Sequence, residues 1–84
     1  MSNEILLLKA RLAEKKRSLK EMKRRADSFV IVIRDIVDPY TEDFTTMDLD
    51  RAMTAMRDFA RLWNEAKDLK FQIARIERDL NLDG

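Results

Sequence analysis

Phe29-Val30-Ile31-Val32-Ile33 is the longest uninterrupted apolar run in a chain of 84 residues of which 39% are charged. β-branched residues in series suit a buried strand as well as a helix, so the reading of this run decides the fold. It is far too short to cross a bilayer, which takes roughly 20 apolar residues, and must therefore be covered by protein. Its phase settles the choice. Phe29 and Ile33 continue a three-four spacing that begins at Ile5 and runs through Leu8, Leu12, Leu19, Met22 and Ala26 to Ile36, broken at Lys15. That is a heptad seam, with Ile5, Leu12, Leu19, Ala26 and Ile33 at a and Leu8, Met22, Phe29 and Ile36 at d. A lone strand would also have nothing in this sequence to pair with. The spacing predicts a first helix over about 3–37, capped by Ser2, with Lys15 snorkelling out of a d position and helping to set register.

Pro39 lacks an N–H and disfavours helical geometry at Asp38, so the first helix is expected to stop near Val37. A connector over about 38–44 is short enough to return the chain antiparallel. The restart at about residue 45 reads as a capping box, Thr45 with Asp48, stapled by Phe44 against Leu49; Met47 or Asp48 as cap is the competing register. A second helix over about 45–81 carries its own seam, Ala52, Ala55, Phe59, Leu62, Ala66, Leu69, Ile73, Ile76 and Leu80. Folding the chain about residues 42 and 43 sets Ile33 on Ala52, Ala26 on Phe59, Leu19 on Ala66 and Leu12 on Ile73. The same pairing sets Lys15 across from Lys70. Asp83 and Gly84 are expected to fray. The fold class is all-α, one domain over residues 1–84, an antiparallel two-helix coiled-coil hairpin.

Two seams account for two narrow stripes, yet the apolar surface widens near the connector. Val30 and Val37 fall at e, Ile31 at f and Val32 at g, and Leu49, Met56 and Trp63 recur every seven residues beside Met53. A hairpin cannot cover Val30, Ile31, Val32, Met53 and Trp63 by itself, and an exposed patch of that kind marks an association surface. The interface residues expected are Val30, Ile31, Val32, Val37, Met53, Met56 and Trp63. A second copy completing a four-helix bundle is the expected occupant, and a different protein is the alternative.

Residues 9–25 hold nine basic side chains against Glu14 and Glu21, a local net of +7 in a chain whose total is +1. Residues 38–50 hold five acidic and no basic residues. Charges of opposite sign at separate levels favour antiparallel or staggered association. Lys9, Lys16, Arg17, Lys20, Lys23 and Arg24 are the candidates for contact with phosphates or an acidic partner, the basis of an alternative reading as a nucleic-acid-associated protein. Against it, these residues wrap round the helix, and no aromatic side chain interleaves with them for stacking on bases.

There is no His and no Cys, hence neither the usual neutral-pH base nor a thiol nucleophile, and the single Gly leaves no phosphate-binding loop. Asp48 and Asp50 together read as helix-start residues, not metal ligands. The expectation is a non-enzymatic structural or adaptor module without cofactor or metal. The opening Met1-Ser2-Asn3-Glu4 has no basic segment followed by an apolar one, which points to the cytoplasm, without attachment to a membrane.

Overall fold

A computed structural model describes residues 2–83, with side-chain surroundings for 3–81. Two α-helices of 35 residues each, α1 (Ser2–Ile36) and α2 (Leu49–Asp83), pack against each other antiparallel. They are joined by a connector containing the 3-10 turn Phe44–Thr46. The rod measures 64 × 16 × 15 Å, with a radius of gyration of 18.9 Å. A compact domain of this length would have a radius of about 12 Å, so every residue of this hairpin lies near the surface.

The apolar pentad is helical, in phase with the seam on both sides. α1 ends where Pro39 requires it to. Val37 N–H closes the last helical bond on Ile33 at 2.8 Å, and Asp38-Pro39-Tyr40-Thr41 then forms a turn, Thr41 N–H donating to the Asp38 carbonyl at 3.1 Å. Asp at the first position and Pro at the second suit such a turn. The Asp38 carboxylate also accepts from Tyr40 N–H at 2.9 Å.

The restart differs from the expected one. Thr45 caps nothing: its N–H and its hydroxyl both donate to the Asp43 carboxylate, at 3.0 and 2.6 Å, and so the 3-10 turn has Asp43 as its cap. Two donors hold the Asp43 carboxyl below its ordinary value of 3.8, the hydroxyl contributing most and the backbone N–H next, with slight desolvation opposing. The competing register holds for α2, where the Asp48 carboxylate accepts from Arg51 N–H at 3.2 Å and the Asp48 carbonyl takes the first helical bond, from Ala52. That is the geometry of an Asp N-cap. Phe44 is 71% exposed and staples nothing. The connector thus runs to Asp48 and α2 starts at Leu49, four residues beyond the expected boundary. At the other terminus α2 extends to Asp83; Gly84, and the Ser2 side chain on which the first cap rests, lie outside the described residues.

Among the described residues four side chains are buried, Ala52, Leu62, Leu69 and Ile73, all on α2. The facing seam of α1 is half-buried throughout. Such a seam is one layer deep, because each side chain has neighbours toward the other helix alone. Phe29 stacks on Phe59 with ring centroids 5.8 Å apart, and Lys15 meets Gln72. Ala26 was expected on Phe59 and Lys70 across from Lys15, so these contacts sit two to three residues from the expected pairing. Ala26 and Phe59, and likewise Leu19 and Ala66, still line one shared hollow.

Candidate interaction face

The two flanks of the seam differ in chemistry. In an antiparallel pair the e positions of both helices lie on one side and the g positions on the other. The ion pair between Lys16 and Glu77, at 3.7 Å, joins two e residues and identifies that side. On the e side, Val30, Val37, Leu49, Met56 and Trp63 occupy the half of the rod nearest the connector, and all are exposed. Met53 and Ala60 extend the surface outward and are exposed too. Met56, Phe59, Ala60 and Trp63 line a shallow apolar hollow, which continues through Phe59 and Trp63 into the hollow beside Ala26 and Lys70. Trp63 remains 55% exposed, with Lys67 Nζ over its ring at 4.1 Å from the centroid.

The expected interface residues therefore divide. Met53, Met56 and Trp63 share the α2 part of the e side with Leu49. Ile31, 68% exposed, and Val32, half-buried, instead line a hollow with Val37, Pro39, Tyr40 and Arg51 at the base of the connector. Val30 sits at the edge of the first group and Val37 touches both. The pentad is thus shared among the seam, the e face and a separate hollow.

Farther from the connector the same e side is charged, with Lys9, Lys16, Lys23, Lys70 and Glu77 replacing the apolar residues. The g side is polar nearly throughout. There Lys15 Nζ donates to Gln72 Oε1 at 2.6 Å and Gln72 Nε2 donates to Asp68 Oδ2 at 2.8 Å. Lys15 thus does not snorkel freely: its half-buried ammonium is engaged across the seam.

Lys9, Lys16, Arg17, Lys20, Lys23 and Arg24 are all exposed. Three of them have carboxylate partners within the chain: Lys16 with Glu77, Lys23 with Asp27, and Arg24 with Glu21 at 3.1 Å. These pairs disperse the positive charge over the helix surface.

A second exposed apolar group, Leu6, Leu7 and Phe71, lies in the half away from the connector. Phe71 is 80% exposed, beside Ala74, Arg75 and Arg78. The run from Ile5 to Leu8 was its visible signal in the sequence, but Leu6, Leu7 and Phe71 all fall off the seam and widen no common stripe. Among the described residues no group of three acidic, His or Cys side chains could hold a metal ion, and no helix is long and apolar enough to cross a membrane. Comparison with protein-family models, with curated proteins and with solved structures finds no match to this chain.

Proposed function

We propose that this chain is a small structural or adaptor module that works by protein–protein association, first of all with a second copy of itself, through the apolar e face beside the connector. One observation carries the reading: Leu49, Met53, Met56 and Trp63 stand exposed together on one face of a rod that buries four side chains among its described residues. The surface area agrees. The chain exposes 7235 Å² at a mass of 10.0 kDa, whereas a compact monomer of that mass exposes about 5200 Å². The excess is larger than the roughly 800 Å² that each partner of a standard interface covers. Packing two such faces together makes a four-helix segment, in which apolar stripes too wide for a helix pair become core.

Light scattering on a sizing column tests the reading. The unsubstituted chain is expected to elute as a dimer and Trp63→Glu as a folded monomer. Equal masses for the two proteins would remove Trp63 from the interface. A mass unchanged by Trp63→Glu, together with steeply salt-dependent binding to a DNA duplex that Lys20→Glu abolishes, would move the function to the basic segment.

A further inference from the structure

We infer that the second copy docks antiparallel and staggered, turn half on turn half, so that the acidic connector of each copy lies against the lysines of the other. This rests on the self-association reading and adds its geometry.

The apolar residues on the e side of α2 run from Leu49 to Trp63, about 21 Å at 1.5 Å per residue, with Met56 midway. Matching this stretch to its own copy permits two arrangements. Side by side with the connectors together, each acidic connector meets the other, with Asp38, Glu42, Asp43, Asp48 and Asp50 doubled at one end and the lysines doubled along the arms. Like charges placed opposite one another oppose association. With a two-fold axis across the rod at Met56, the apolar stretch still covers itself, and the charges exchange partners.

The level of that exchange follows from lengths. α2 accounts for about 52 Å of the 64 Å rod, so the connector projects about 10 Å past Leu49. Rotated about Met56, it falls beside the α2 segment from Trp63 to Lys70 of the other copy, its tip about 31 Å from that copy's Leu49. Lys67 and Lys70 lie there on α2, and Lys20 and Lys23 lie at the same level of α1, given that Lys15 meets Gln72. Lys23, Lys70 and Trp63 line one continuous hollow, which joins the lysines to the apolar surface. A full-length antiparallel overlap would instead lay each apolar stretch on the other copy's lysine-rich arm. The dimer is therefore a central four-helix segment with a two-helix arm projecting at each end.

The chain has no cysteine, so a single Arg78→Cys substitution carries one spin label per copy, on an exposed position outside the proposed contact. Arg78 is 22 residues from Met56, so the antiparallel dimer places the two labels about 65 Å apart, against less than about 35 Å with the connectors together. The double variant Lys20→Glu/Lys70→Glu is expected to weaken the dimer about threefold or more while leaving helix content unchanged. A dimer with the short label distance, or one strengthened by the double variant, overturns the arrangement and leaves self-association standing. A protein that stays monomeric overturns both.

Discussion

The half of the hairpin beside the connector and the half away from it share one seam and differ in their flanks. In the first, Phe29 stacks on Phe59 and the e side continues outward as Val30, Leu49, Met56 and Trp63. In the second, the same e positions hold Lys16, Lys23, Lys70 and Glu77, and the seam itself takes in Lys15 with its bond to Gln72. The seam makes the fold in both halves, whereas the flank is apolar and exposed in one and charged in the other. The proposed self-association thereby assigns folding and assembly to different residues of the same helices.

This separation is open to direct attack. Leu62 is 2% exposed and belongs to the seam. Leu62→Ala is expected to cost about 3 kcal/mol in urea unfolding, the range for a buried leucine left as a cavity. Met56→Lys, on the apolar flank, is expected to weaken the dimer by about 2 kcal/mol, the scale of an interface hot spot, with little loss of helix in circular dichroism. A Met56→Lys protein that unfolds outright would merge the two roles. Lys16→Ala, on the charged flank, removes an ion pair whose side chains are each about half exposed. Its expected effect on either unfolding or mass is below about 0.5 kcal/mol, as for other exposed pairs.

The smallest effect is confined to the connector. The Asp43 carboxyl is held below 3.8 in the folded chain by its two bonds from Thr45. A lowered folded value means that the turn's contribution is complete above the unfolded value and is lost as pH falls through the folded one. Acid titration followed at the Thr45 amide by NMR should therefore show the turn intact at pH 5 and loosening below 3.8, with both helices retained at that point. Loosening that begins well above 3.8 would contradict the assignment of both donors to Asp43.

Much of the hairpin was legible in the sequence, since a three-four period over two segments with Pro39 between them admits few other folds. The pentad read correctly as helix for that reason: Phe29 and Ile33 have partners on the seam, and a strand has none. The start of α2 did not read correctly, because Thr45 with Asp48 has the spacing of a capping box. Spacing does not reveal that Asp43 two residues earlier captures both donors of Thr45, or that Asp48 then serves as the cap. The partner of Lys15 depended on register to within two residues, and a seam pattern repeats too regularly to give that. The apolar flank was visible as surplus residues, but its division was not. Ile31 and Val32 adjoin Val30 in sequence and face a different hollow, a distinction that emerges once both helices are in place.

The apolar e face is proposed to close on a second copy. Sedimentation equilibrium of the unsubstituted chain at micromolar concentration tests it most directly, with Trp63 as the optical probe. The expected mass is twice the 10.0 kDa of one chain. A mass of 10.0 kDa across that range, with Trp63 fluorescence as accessible to a quencher as free tryptophan, would contradict it.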